Sequence, residues 1–415
     1  MDEINPTTVL CLASYEKGGE FIRACKRRGC HALLLTVTAL EGAAWPRESL
    51  DDIFYMPDLS DVDAVRRGVD YLARSRAIDR IVALDDYDVE TAAALRERLC
   101  LPGMGATAAR AVRDKLTMRV RARDAGLLVP DFAPVANDAA LEGYLARVPP
   151  PWVLKPRAEV STIGIARIED PREVWTRLDA AGDRRASHLI ERYIPGTVYH
   201  VDSLVDEGEV LFAETHEYGR PPLNVYHDGG VFLTRTLPRE SDDARALRAL
   251  NGRALRALAF ERGATHLEFI KGDDDGQLYF LEAGARVGGA YIADMVEAAS
   301  SLNLWAEWAA IELATPDQPY RLPAHRRDYA GAIVSLARQE RPDTSAYRDE
   351  EIVLRLDKRH HAGLILASDD PARIAALLDE YARRFATDFA ATLPPYTGRP
   401  PTGSSGSGGG ESVGA

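Results

Sequence analysis

Glu268 interrupts an apolar run, Thr265-His266-Leu267-Glu268-Phe269, and Glu282 interrupts a second, Tyr279-Phe280-Leu281-Glu282-Ala283. Between them Gly272-Asp273-Asp274-Asp275-Gly276 reads as the turn of a hairpin. If the two runs pair across that turn, both carboxylates can point to one face and reach a common ion. Carboxylate oxygens suit magnesium, which keeps waters and takes further ligands from substrate phosphates. The plainer alternative is two exposed acids flanking a tight turn. An unpaired carboxylate in an apolar strand is costly, which favours the functional reading. Arg286, four residues past Glu282, can set a planar guanidinium beside the same place, suited to a phosphate or a developing oxyanion.

A second set of residues suits phosphate. Lys155 ends the apolar run Trp152-Val153-Leu154, and the loop Arg157-Ala158-Glu159-Val160-Ser161-Thr162-Ile163-Gly164 follows it. The hydroxyls of Ser161 and Thr162, with backbone donors, could close over phosphates. An edge-strand lysine lying along apolar surface is the alternative. Lys115, in Arg113-Asp114-Lys115-Leu116, fits phosphate contact and a solvated helix face equally well. His266 reads as a core histidine hydrogen-bonded within a sheet, and His227-Asp228-Gly229-Gly230 as a turn.

The elements that must hold these groups alternate at first between strand and helix. Val9 to Ala13, His31 to Val37 and Arg80 to Leu84 are strand signals; Asp61 to Ser75 has apolar residues at helical spacing, and Val89 to Leu99 is another helix. Such alternation implies a parallel sheet with helical crossovers. A basic helix is expected from about Ala106 to Ala125, and another from about Ala290 to Leu313. Gly196 to Pro238 reads as strand after strand, an antiparallel pattern, and Ser241 to Phe260 as a helix capped by Ser241. A smaller αβ unit is expected near 328–390, and a Gly/Ser-rich tail carries no fold information.

The 415 residues suffice for two or three domains, and 46% hydrophobic with 28% charged residues is a globular balance. A net charge of −13 argues against a non-specific nucleic-acid binder. Cys11, Cys25, Cys30 and Cys100 form no CxxC pair and read as small buried apolar residues of a reducing compartment. No signal peptide and no membrane-length apolar stretch stand out, so a soluble, cytoplasmic protein is expected, with no membrane partner.

The order of five segments resembles the ATP-grasp superfamily: Asp114-Lys115; Val153-Leu154-Lys155-Pro156; Ile190-Glu191-Arg192-Tyr193-Ile194-Pro195-Gly196; His266-Leu267-Glu268; and Leu281-Glu282-Ala283-Gly284-Ala285-Arg286. The resemblance covers roughly residues 1 to 390. It implies an α/β protein, α+β in its ATP-binding part, with two subdomains sandwiching ATP. The expected division is a Rossmann-like domain over 1–105, subdomain A over 106–195 and subdomain B over 196–327. A lid-like αβ unit over 328–392 and a flexible tail over 393–415 complete it. Lys115 and Lys155 would contact ATP phosphates, with Ser161 and Thr162 in the loop above them. Glu191, Arg192, Tyr193 and Ile194 would hold adenine, and His200 or Asp202 would lie near the ribose. Glu268 and Glu282 would hold magnesium, manganese being an acceptable substitute, and Arg286 would steady an acyl phosphate. Arg235, His266, Gly288 and Gly289 are candidates for substrate contact. Many members of the family carry Asn two residues after the second Glu, where this chain has Gly284. A third metal ligand is therefore missing or comes from elsewhere, and the change points toward the amino-acid ligase branch.

The expected reaction is attack of a carboxylate on the γ-phosphate of ATP, followed by attack of an amine on the acyl phosphate. The phosphate loop and the 328–390 unit would close over the site to exclude water. The alternatives are a biotin carboxylase-like protein, where the absent Met-Lys-Met carrier segment counts against a fused carboxylase but not against a separate subunit, and a nucleotide-binding regulatory protein without chemistry. ATP and small carboxylate and amine molecules are the expected partners, and a homodimer is left open.

Overall fold

A run buried along its whole length, such as Thr8–Ala13, belongs in the middle of a sheet covered on both faces. In the computed structural model, which describes residues 6–160, 164–221 and 230–391, it does so. Strands β1 (Thr8–Ala13), β2 (His31–Val37), β3 (Asp52–Met56) and β4 (Arg80–Ala83) form a parallel sheet in the order β3-β2-β1-β4. Open α/β sheets bind ligands in the crevice outside the carboxyl ends of the strands where the order reverses, and here that point lies at β1 and β4, since β2 and β4 flank β1 on opposite sides. The turn Asp85-Asp86-Tyr87-Asp88 leaves β4 at that point.

A second sheet, antiparallel and ordered β5-β8-β6-β7, comprises β5 (Phe132–Pro134), β6 (Trp152–Pro156), β7 (Ala166–Ile168) and β8 (His188–Arg192). The third sheet has eight antiparallel strands: β9 (Gly196–Asp206), β10 (Glu209–Tyr218), β11 (Phe232–Thr236), β12 (Gly263–Gly272), β13 (Leu278–Gly284), β14 (Tyr329–Leu336), β15 (Ile352–Arg355) and β16 (His361–Ser368). Its order is β13-β12-β9-β10-β11-β14-β16-β15. Val201, Leu267, Phe269 and Phe280 face one core with Leu247 and Leu255 of the helix Asp242–Ala257 and with Leu10 and Leu33 of the first sheet. The other face of β9 and β12 carries His200, Asp202, His266 and Glu268, as the two-residue period of a strand requires.

Four local expectations change. The helix expected from Ala106 to Ala125 is two, Ala106–Ala111 and Lys115–Asp124, because the Asp114 carboxylate caps the second by accepting from the Leu116 and Thr117 amides at 3.0 and 3.2 Å. The helix expected from Ala290 to Leu313 also splits, into Ile292–Ser300 and Leu304–Glu312, with Ser301 in the left-handed region and Asn303 capping the second. Cys100 is exposed, while Cys11, Cys25 and Cys30 are buried. The strands near 328–390 do not form a sheet of their own: β14 pairs with β11, so the unit continues the eight-stranded sheet. Among the described residues no helix is long and apolar enough to cross a membrane.

Candidate active site

Glu268 and Glu282 stand directly opposite each other on β12 and β13. They do so because of a bulge. Phe269 pairs with Phe280, and with regular pairing Glu268 would meet Leu281; instead the register slips by one residue and Leu281 is left over. Phe280 therefore stays in the apolar core while Glu282, two residues on, turns to the polar face beside Glu268. Like charges directly opposite repel, so the pair needs neutralising groups. The Tyr218 hydroxyl donates to Glu268 Oε1 at 3.0 Å, with His266 Nε2 at 3.5 Å. Glu282 Oε2 lies 3.1 Å from Lys115 Nζ. Partial burial alone would raise the Glu282 pKa, but the ammonium groups of Lys115 and Lys155 outweigh it and hold the carboxyl at about 2.

Both candidate lysines converge on these acids. Lys115, the first residue of its helix, also donates to the carbonyl of Glu159 in the candidate phosphate loop at 2.7 Å. Lys155, buried at the end of β6, pairs with Glu191 of β8. Burial lowers the Lys155 pKa, and the cations Arg119 and Lys115 add to the effect against Glu191. Arg119 was not singled out from the sequence, yet it is fully buried and holds Glu191 Oε2 at 3.0 Å. Its other nitrogen donates to the carbonyl of Leu281, the residue displaced by the bulge. One guanidinium thus joins the candidate adenine strand to the candidate metal strand.

The linker after Glu191 runs over a small pocket lined by Arg192, Tyr193, Ile194, Gly272, Asp275 and Tyr279. Ile194 packs there with Val198, Ile270 and Tyr279. The amides of Arg192 and Tyr193 already donate to the carbonyls of Asp131 and Pro151, at 2.7 and 3.0 Å.

Arg286 is half-buried and reaches the first sheet, its Nε donating to Asp86 Oδ2 at 2.5 Å. Burial opposes the charge of Arg286, but Asp86 and Asp85 raise its pKa above the ordinary value. Burial would likewise raise that of Asp86, but Arg286, Arg113 and Lys17 hold its carboxyl at about 2. Next to it, Asp88 bonds the amide and hydroxyl of Ser14 at 2.7 and 2.6 Å, and burial beside Asp85 lifts it to about 7. This acidic turn was missed in the sequence, although an acid run directly after a buried strand was a usable signal.

His200, Asp202 and His266 form a closed group. Asp202 Oδ2 accepts from His200 Nδ1 at 2.6 Å and Oδ1 from His266 Nδ1 at 2.9 Å; His200 Nε2 is 2.7 Å from Thr234 Oγ1. Their nitrogens and oxygens lie close enough together to hold a metal ion, but each of these contacts is also an ordinary hydrogen bond. The reading of His266 as a histidine bonded within the sheet therefore matches the geometry. His200 and Asp202, expected near a ribose, have no solvent exposure. Gly288 lies against this group: a β-carbon there would sit 2.7 Å from Asp202 Oδ1 and 3.1 Å from His266 Nδ1, so only glycine lets the chain after Arg286 pass. Gly289 closes the next turn, its carbonyl accepting from the Ile292 amide at 2.9 Å. Arg235 is not brought in. It alternates with Thr234 and so points to the opposite face, 3.4 Å from Glu217. Ser161, Thr162 and His227-Asp228-Gly229 lie outside the described residues.

Comparison with known proteins bears on this geometry. Residues 148–294 match the ATP-grasp domain family. An L-arginine-specific L-amino acid ligase of Bacillus subtilis is 22% identical over 263 residues, 61% of this chain and 62% of that protein. A D-alanine–D-alanine ligase of Stutzerimonas stutzeri is 29% identical over 191 residues, 45% of this chain and 59% of that protein. The chain thus spans about three fifths of the length of these curated relatives. The crystal structure of an L-amino acid ligase from Bacillus licheniformis superposes with a TM-score of 0.74, covering 94% of this chain and 99% of that one at 17% identity.

Proposed function

We propose that this chain, whose residues 148–294 match the ATP-grasp domain family, is an ATP-dependent ligase joining the carboxylate of an amino acid to an amine, with ADP and phosphate released. The observation that carries this reading is the convergence of two facing carboxylates, two lysines and the half-buried Arg286 from four separate parts of the chain. The donor set fits a hard divalent cation: Glu268 and Glu282 offer oxygens on one face, one of them still partly open to solvent. Magnesium held there would neutralise charge on the phosphate oxygens.

The protein's own groups have separable tasks. Lys115 and Lys155 sit where phosphate oxygens would replace the carboxylates they now pair with, and Arg119 shares Glu191 so that Lys155 is not bound to it alone. Attack of the substrate carboxylate on the γ-phosphate gives an acyl phosphate; attack of the amine then expels phosphate. Arg286, fixed by Asp86, presents its remaining donors to the oxyanion that forms when the amine adds to the acyl phosphate and that collapses as phosphate leaves. Because an acyl phosphate hydrolyses readily, the reaction needs water excluded from the acids while it proceeds. The test is phosphate release with ATP and magnesium across a panel of amino acids, singly and in pairs. Release that requires particular pairs supports the ligase; none with any pair, despite nucleotide binding, counts against it.

A further inference from the structure

Gly284 lies two residues beyond Glu282 on β13, so a side chain there would project from the same face as both acids. It carries none, but the space is not empty. A β-carbon at 284 would lie 3.4 Å from Asp86 Oδ1, an oxygen delivered by the turn after β4 in the first sheet. Asp86 is only 4% exposed, and Oδ1 has no hydrogen-bond donor within reach among the described residues, while Oδ2 is held by Arg286. A buried carboxylate oxygen without a partner is expensive and calls for an ion or a polar ligand. The turn is rigid, since Asp85 accepts from the Tyr87 amide at 3.0 Å, and Arg286 anchors the carboxylate from the other side.

We propose that Asp86 is the third protein ligand of the divalent cation held by Glu268 and Glu282, its Oδ1 facing the ion and its Oδ2 fixing Arg286. The proposal rests on the ligase reading above. It explains why position 284 is glycine: a donor on β13 would compete for the place of one imported from the first sheet. It also makes the cation a tie between the first and third sheets, so that the metal site is complete only when the crevice at β1 and β4 is docked against β13.

The experiment measures Mn²⁺ binding to the full chain by electron paramagnetic resonance, with a non-hydrolysable ATP analogue present. Asp86→Asn keeps the size of the side chain and an oxygen for Arg286 but removes the charge. We expect it to weaken Mn²⁺ about tenfold or more, the scale on which metal sites respond to lost partners. Asp86→Ala should do the same, and the double variant Asp86→Ala/Gly284→Asn should restore affinity to within about threefold of the parent by placing an oxygen donor on β13. That rescue separates ligation from misfolding. Unchanged Mn²⁺ affinity in Asp86→Asn, in a parent whose affinity does depend on Glu282, overturns the proposal and leaves the ligase reading standing. So does a variant that keeps its Mn²⁺ affinity and loses only amino-acid affinity, which would assign Asp86 to the substrate. A parent that binds no Mn²⁺ with the nucleotide overturns both.

Discussion

Two groups of ionisable side chains share one face of the eight-stranded sheet under opposite conditions. Glu268 and Glu282 lie toward the β13 edge, with Lys115 and Lys155 supplied by other elements and Glu282 about one-third exposed. A few residues along the same strands, Asp202, His200 and His266 are sealed, and their main partners come from the sheet itself. Both groups hold charge by pairing it. In the first, the pairing of Glu282 can be exchanged for phosphate or metal because its partner Lys115 arrives from outside the sheet and the acid still meets water. In the second, exchange would leave a buried charge bare. Strand face alone therefore does not mark a site; the origin of the counter-charge and access to solvent do.

The largest effect should follow from opening the sealed group. Asp202→Ala leaves two buried histidines without their common acceptor and should destabilise the fold by about 3–5 kcal/mol, the range for breaking a buried pair. Equilibrium denaturant unfolding measures it. A loss of activity at unchanged stability would break the comparison by making the sealed group functional.

The same group predicts a pH dependence. Burial would lower the pKa of His266, but Asp202 and Glu268 outweigh it and raise it to about 9. A histidine raised from an unfolded value of about 6.5 contributes its stability fully below that pH, and the contribution is lost as pH rises through about 9. Stability should therefore fall across that window by up to about 3 kcal/mol, and the fall should shrink in Asp202→Ala, where only Glu268 is left to favour the imidazolium. A flat profile in the parent would show His266 to be neutral in the native state.

At the open group, Glu282→Gln should fold normally but release phosphate about a hundredfold more slowly, the scale for losing one stabiliser of the transition state. Turnover within a few-fold of the parent would move the metal site elsewhere. The smallest effect is expected at Arg235, on the far face from the acids. Arg235→Ala should change stability by less than about 0.5 kcal/mol and leave phosphate release alone, as for a partly exposed pair. A large loss of turnover there would show that the opposite face also meets substrate.

Much of this protein is written locally. The buried strand Thr8–Ala13, the run ending at Lys155, the acidic hairpin and the cap at Ser241 all follow from residue type and short spacing, because hydrophobic period and turn chemistry act over a few residues. The acids Glu268 and Glu282 could be named for the same reason. Their facing geometry could not: regular pairing from Phe269 and Phe280 would have sent Glu282 toward the core, and the one-residue slip at Leu281 is visible only in the paired strands. The contacts of Asp86 with Arg286 and of Arg119 with Glu191 join residues 200 and 72 positions apart, and no local period reports on either. Nor does sequence spacing distinguish His200, Asp202 and His266 from the acids beside them. Burial separates the two groups, and burial depends on which elements pack over each end of a shared face. Residue types therefore supplied the chemistry available to this chain, whereas long-range packing selected the carboxylates and cations that could meet where a ligand can enter.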